Sequence, residues 1–196
     1  MTREKKKTTN VIVVGTGGQG VVLASEILSD VAMLCGLDAK KSEIHGMSQR
    51  GGIVTSHVRF SEHVASPLIM EGEANILLSF ELAEAVRWLH FLHPEGRVIT
   101  SLQRIVPPAV FAGMGTYPDN AVDVLKERSK DPILVDALPL AQSLGNPQLV
   151  NTILLGIASN LLDLPIDQWK TVIANRVPPK FKELNLVAFD KGREFK

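Results

Sequence analysis

The chain has 196 residues, 45% hydrophobic and 21% charged, which is one domain's worth of sequence with enough apolar side chain for a core; disordered and collagen-like chains are excluded. Lysine plus arginine and aspartate plus glutamate both total 21, so the formal charge is zero and the broad positive field of a nucleic-acid-binding surface is absent. Cys35 is the single cysteine. It rules out an internal disulfide, points to a reducing cytoplasm, and cannot by itself hold an iron–sulfur cluster or a cysteine-rich zinc site, so any redox metal must sit on another chain.

Residues 1–9 read as a disordered basic tail, with Arg3, Lys5, Lys6 and Lys7 ahead of the first apolar run. No stretch reaches the roughly 20 apolar residues that span a bilayer, so no membrane segment is expected. Residues 10–14, apolar and β-branched, predict a strand buried on both faces. A glycine turn follows, and then Leu23, Ile27, Val31 and Leu34 recur on one helical face with Gly36 as the stop. Residues 38–44 and 53–60 predict two strands with no room for a helix between them, hence an antiparallel pair and a mixed sheet. Residues 74–79 read as a buried strand and 81–92 as a helix ended by Pro94 and Gly96. Residues 97–100 and 133–136 add two strands, and 149–162, 166–177 and a last segment opened by Pro178 and Pro179 read as helices. The expected fold is α/β, a three-layer α/β/α Rossmann-like arrangement with a mostly parallel, mixed sheet. Residues 10–196 form its single domain, with 164–196 a helical tail.

Two clusters carry chemistry. Gly15-Thr-Gly-Gly-Gln-Gly20 has the spacing of a dinucleotide fingerprint between a strand and a helix, where backbone N–H groups approach a phosphate. The acid that should grip a ribose is poorly placed: Asp38 begins its strand and Glu43 precedes a loop, and Gln19 adds a polar group to the same space. Close helix–strand packing explains these glycines equally well. Ser42-Glu-Ile-His-Gly-Met-Ser-Gln-Arg-Gly-Gly52 gathers an imidazole, a carboxylate, an amide, a guanidinium and three glycines at a strand end. Arg50 beside two glycines can present its planar fork to a phosphate or carboxylate.

Other features are weaker. His90 and His93 have helical spacing but no accompanying carboxylate, so a metal site is not expected. Asn151 reads as a helix N-cap, and Trp88 and Trp169 as core or interface residues. No Gly-x-Ser-x-Gly elbow and no phosphate-binding Gly-x-x-x-x-Gly-Lys-Ser/Thr loop occurs.

These two motifs recur in order with Ser66-Pro-Leu-Ile69, Phe80-Glu-Leu-Ala-Glu-Ala85, and Gly145-Asn146 followed by Asn151 and Gly156. From about Asn10 to Leu164 the chain thereby resembles the gamma-type subunit or domain of the 2-oxoacid:ferredoxin oxidoreductase family. His45 stands where pyruvate and 2-oxoglutarate relatives usually carry an aromatic residue, which tilts the resemblance toward the branch acting on aryl-pyruvates such as indolepyruvate. The resemblance implies oxidative decarboxylation of a 2-oxoacid on thiamine diphosphate, electron transfer through 4Fe-4S clusters to ferredoxin, and release of an acyl-CoA. With no Cys-x-x-Cys and no Gly-Asp-Gly signature here, thiamine diphosphate and clusters are expected on a large (alpha) subunit, with CoA as co-substrate. A homodimer of the isolated chain is left open.

The resemblance further implies that Gly15, Gly17, Gly18, Gln19 and Gly20 form a phosphate-binding or interface loop. His45, Met47, Ser48, Gln49, Arg50 and Gly51 would face the active site, with Arg50 and Gln49 holding an anion and His45 tuning polarity or relaying a proton. None is assigned as catalytic base. A stand-alone NAD-binding oxidoreductase and a purely structural assembly subunit are the alternatives.

Overall fold

Residues 8–46 and 52–195 are described by the computed structural model; the expectations placed on residues 1–7 of the basic tail and on Met47, Ser48, Gln49, Arg50 and Gly51 lie outside the described residues, while Thr9, assigned to the disordered tail, already pairs in the first strand. The β-branched run falls in β1 (Thr9–Thr16), whose side chains alternate between two hydrophobic layers: Val11 and Val13 enter one, Ile12 and Val14 the other. A residue pattern without alternation is what burial on both faces requires.

The chain leaves β1 through α1 (Val21–Leu34), which Gly36 ends in the left-handed region at φ 78° while its N–H bonds the carbonyl of Met33 at 2.9 Å. Strands β2 (Asp38–His45) and β3 (Ile53–Ser61) pair antiparallel along their length, as the short connection requires. β4 (Ala74–Ser79), α2 (Leu82–Arg87), β5 (Leu92–Ser101), α3 (Pro108–Phe111), α4 (Ala121–Arg128) and β6 (Ile133–Val135) follow. They complete a mixed six-stranded sheet in the order β2-β3-β1-β4-β5-β6, with β3 antiparallel to the rest. Four more helices close the chain: α5 (Ala137–Ser143), α6 (Val150–Ser159), α7 (Ile166–Arg176) and α8 (Lys182–Arg193).

The two sheet faces are covered by different helices. α1 and α5 to α8 pack on the face carrying Val11, Val13, Val58, Ile76 and Ile99. α2 and α4 pack on the face carrying Ile12, Val14, Leu77 and Val98. α6 is buried along all ten residues. It lies between the sheet and α8, and it crosses α8 backbone to backbone where Gly156 and Gly192 meet: a Cβ on either would collide with a carbonyl of the other helix. The tail is thus part of the main hydrophobic core through Trp169, Ile173 and Phe189.

Three expectations are corrected. The helix expected over residues 81–92 stops at Arg87 and passes through a 3-10 turn (Leu89–Phe91) into β5, which already begins at Leu92. Leu82, Ala85 and Leu89 are all buried, so the apolar spacing continues through the turn and mimics a longer helix. Pro94 is absorbed by a slip in register between the pairs Ala74↔Leu92 and Ile76↔Arg97, where a missing N–H disrupts no ladder bond, and Gly96 passes so close that a Cβ there would lie 2.6 Å from the Ala74 carbonyl. His90 and His93 consequently stand on different elements rather than on one helix face. Asn151 is not the N-cap of α6; the helix starts after a 3-10 turn (Pro147–Leu149) that Asn146 caps by accepting the Gln148 N–H at 2.9 Å.

Candidate functional site at the carboxyl edge of the sheet

β1, β2, β4, β5 and β6 end on the same edge of the sheet. From β1 the chain turns to one face through α1, and from the adjacent β4 to the other through α2. A crevice at such a reversal is where open α/β sheets bind ligands. The turn at residues 15–20 lies there. Gly18 and Gly20 take φ 97° and 84°, values only glycine adopts without strain, and Gly20 heads α1 with no side-chain cap on the first turn.

Gln19 fills part of this crevice with its own amide. Its Oε1 accepts the Thr16 N–H at 2.8 Å, and its Nε2 donates to the Phe80 carbonyl at 2.8 Å and to Gln103 Oε1 at 3.1 Å. One side chain therefore ties together the ends of β1, β4 and β5. Gly15 must be glycine beneath it, since a Cβ would lie 2.8 Å from Gln19 Oε1 and 2.9 Å from Val21.

The two glycine-rich motifs meet directly where Gly17 N–H donates to the Gly52 carbonyl at 2.9 Å, and Gly46 N–H closes the base of the second motif on the Ile53 carbonyl at 2.7 Å. His45 ends β2 beside them, exposed, with Nε2 3.4 Å from a Glu43 carboxylate oxygen. Lys41 bonds that same carboxyl and holds it below the usual carboxylate range.

A cavity of about 410 Å³ opens beside the turn, between the start of α1 and the start of α6. Gly18, Gln19 and Gly20 form one wall, Asn146 and Asn151 another, and Phe181 and Asn185 close it from the α8 side. Asn151 is buried, and its Oδ1 accepts the Thr152 N–H at 2.7 Å. Thr152 in turn bonds Asn185, which bonds the Phe181 carbonyl at 2.9 Å. This chain of bonds aims the remaining group, Asn151 Nδ2, at Gly20. No charged residue lines the cavity among the described residues. The arrangement offers amide and helix-end N–H groups to an anion. Sequence reasoning missed the cavity roles of Asn151, Asn146, Gln103 and Asn185; Asn146 and Asn151 carried the signal of a shared motif, and Gln103 and Asn185 carried none.

Where a dinucleotide site would need its ribose-gripping acid, Asp38 is misplaced. Asp38 begins β2 on the opposite edge, accepting the Val64 N–H at 2.8 Å and pairing with Lys40 at 2.9 Å. That N–H, first, and then the Lys40 ammonium hold its carboxyl below the usual range. Among the described residues no three His, Cys, Asp or Glu side chains are grouped to share a metal ion, and no helix is long and apolar enough to cross a membrane.

Comparison with known proteins agrees with this architecture. Over 191 residues, 95% of each chain, the sequence is 37% identical to the indolepyruvate oxidoreductase subunit IorB of Thermococcus kodakarensis. It is 28% identical over 189 residues to the common gamma subunit of pyruvate/ketoisovalerate oxidoreductases of Pyrococcus abyssi, covering 92% of this chain and 95% of that one. The fold matches the gamma subunit of keto/oxoacid ferredoxin oxidoreductase from Geobacter sulfurreducens with a TM-score of 0.71 at 22% identity, over 95% of this chain and 96% of that one. It also matches 31% of the length of 2-oxoglutarate:ferredoxin oxidoreductase from Magnetococcus marinus, a structure with 2-oxoglutarate, coenzyme A and succinyl-CoA bound, with a TM-score of 0.74 at 18% identity over 97% of this chain. Residues 10–195 match the family model for pyruvate ferredoxin/flavodoxin oxidoreductase, and the chain belongs to that family.

Proposed function

We propose that this chain is the small subunit of a cytoplasmic 2-oxoacid:ferredoxin oxidoreductase that takes an aryl-pyruvate such as indolepyruvate, and that its cavity holds the phosphate-bearing end of CoA. The observation that carries this reading is the uncapped start of α1 opening, together with Asn151 Nδ2, onto an uncharged cavity beside the two glycine motifs. The identity to indolepyruvate oxidoreductase subunits supports the substrate class.

The redox groups do not fit this chain. One cysteine cannot ligate a cluster and no Gly-Asp-Gly signature is present, so 4Fe-4S clusters and thiamine diphosphate would belong to a large subunit, with ferredoxin reached through the complex. That subunit would supply the oxidative decarboxylation: the oxoacid loses CO2, two electrons go to ferredoxin, and the acyl group ends on the CoA sulfur as the thiol gives up its proton. The small subunit's part is to hold and orient. Backbone N–H groups of Gly20 and the first turn of α1 face a phosphate, and Asn151 donates a further bond. Arg50 and Gln49 bind a second anionic group, the substrate carboxylate or another CoA phosphate, with Met47, Ser48 and Gly51 in the same loop. His45 tunes the polarity of the mouth or relays a proton.

In the reconstituted complex, Asn151→Ala raises the KM for CoA by about tenfold, one lost hydrogen bond to a charged group, and leaves the KM for the oxoacid in place. Arg50→Ala raises the KM of whichever anion it holds. Unchanged constants for CoA and oxoacid in both variants would remove the anion-holding role.

A further inference from the structure

Between β5 and α4 the chain runs through residues 105–117, Ile-Val-Pro-Pro-Ala-Val-Phe-Ala-Gly-Met-Gly-Thr-Tyr, thirteen residues without a charge. Phe111 and Met114 are 80% and 75% exposed, the two largest exposures among the large apolar residues described. Such a segment on a soluble surface is a contact surface unless it is an aggregation hazard. Its base is fixed. Glu81, fully buried, accepts the Ile105 N–H at 3.0 Å and the Tyr117 hydroxyl at 2.5 Å on one carboxylate oxygen, and the Glu84 N–H at 2.9 Å on the other. One carboxylate thus clamps both ends of the loop to the start of α2. Arg104 stacks on the Tyr117 ring at 4.5 Å and pairs with Asp119 at 2.7 Å, closing the base from outside. Nothing in the cavity uses Glu81, although it sits in one of the shared motifs.

We infer that residues 105–117 are a docking finger for the larger, cofactor-bearing chain of the complex, with Phe111 and Met114 seated in an apolar depression on that chain and Glu81 and Tyr117 as positioning residues. The inference rests on the proposed function. The occupant follows from where the finger stands. It begins two residues after Gln103, which both bonds Gln19 and lines the cavity, so finger and cavity mouth share one edge of the sheet. A chain that brings the reacting groups to that mouth must cover the finger as it approaches. A second copy docked there would bury the mouth and keep the partner out. The absence of charge fits a dry contact at the centre of an interface, where aromatic anchors dominate binding.

The test is the affinity of the purified chain for the separately purified large chain, measured by calorimetry or analytical ultracentrifugation. Phe111→Ser with Met114→Ser weakens the complex by roughly 30-fold or more, the loss expected of a buried anchor. Val187→Ser, which removes an exposed apolar residue of α8, leaves the affinity unchanged. Tyr117→Phe frees one end of the clamp and weakens binding by about tenfold, mainly through slower association, while the melting temperature of the isolated chain stays within a few degrees. Wild-type affinity in the double variant overturns the finger and leaves the function standing. Loss of self-association with complex formation intact also overturns it. A wild-type chain that never binds the large chain overturns finger and function together.

Discussion

The side-chain nitrogen of Asn151 stands 2.7 Å from the point where a Cβ on Gly20 would lie, so a residue in the first turn of α6 and the residue that heads α1 meet at the cavity wall. Gly20→Ala meets this contact and a left-handed φ of 84° at once. Gly18→Ala meets open space at φ 97° and suffers the backbone strain alone, about 1–2 kcal/mol. Both variants should melt lower than the parent, and Gly20→Ala alone should also raise the KM for CoA. Equal CoA constants in the two would detach Asn151 from the site.

Gln19 is bonded at both ends of its amide, and its loss should be felt at three strand ends. Gln19→Leu orphans the Thr16 N–H and the Phe80 carbonyl, and destabilises the fold by about 2 kcal/mol, read from urea unfolding. Gln19→Glu keeps an acceptor for Thr16 but aims a carboxylate at two oxygens. Its stability should recover as pH falls and the new carboxyl protonates, a dependence absent from Gln19→Leu.

The crossing of α6 over α8 leaves no room for a methyl group. Gly156→Ala and Gly192→Ala each force apart two backbones that touch, at a cost of about 3 kcal/mol. For a chain of this size that corresponds to a fall of roughly 6–12 °C in Tm. A melting temperature unchanged by both would contradict the observed contact.

His57 gives the stability an acid limit. Its Nδ1 accepts the Ile69 N–H at 3.1 Å, Phe91 stands edge-on to its ring at 5.5 Å, and Nε2 is buried without a partner. Burial, and then the Arg59 guanidinium, hold its pKa below the ordinary 6.5. A depressed histidine stays neutral in the fold while the unfolded chain takes up a proton, so stability falls as pH drops below about 6.5, by at most about 1.4 kcal/mol per pH unit. Glu84 works the other way: burial raises its carboxyl pKa, so the folded chain protonates first and gains stability on acidification. Comparing His57→Gln with the parent between pH 6.5 and 5 isolates the histidine, and the parent should show the steeper loss.

Much of the sheet could be read from the chain because burial on both faces leaves a plain mark: residues 10–14 and 74–79 are short apolar runs, and each is a strand. The antiparallel start was legible from the shortness of the connection between β2 and β3. What failed has a common cause. A helical spacing of apolar residues persists wherever one side of a segment faces the core, so it carried the reading of α2 past Arg87 into a 3-10 turn and a strand. The start of α6 was legible to within a residue, but α5 and the role of Asn151 escaped; Asn151 is placed by Thr152 and, through it, by the distant Asn185, a bond network that local pattern does not encode. The cavity is legible only once α6 and α8 are folded against α1.

Among the described residues the lining of that cavity carries no charge, and this sets how a ligand would be met there. Fixed dipoles lose their pull within about one helical turn, unlike a lysine or arginine cluster, which draws anions from a Debye length away. Such a pocket does not steer its guest; it recognises it on contact. Any long-range pull then falls to Arg50 of the neighbouring motif, so replacing Arg50 should remove the salt dependence of capture, and discrimination between related phosphate esters should be exercised in how slowly the right one departs.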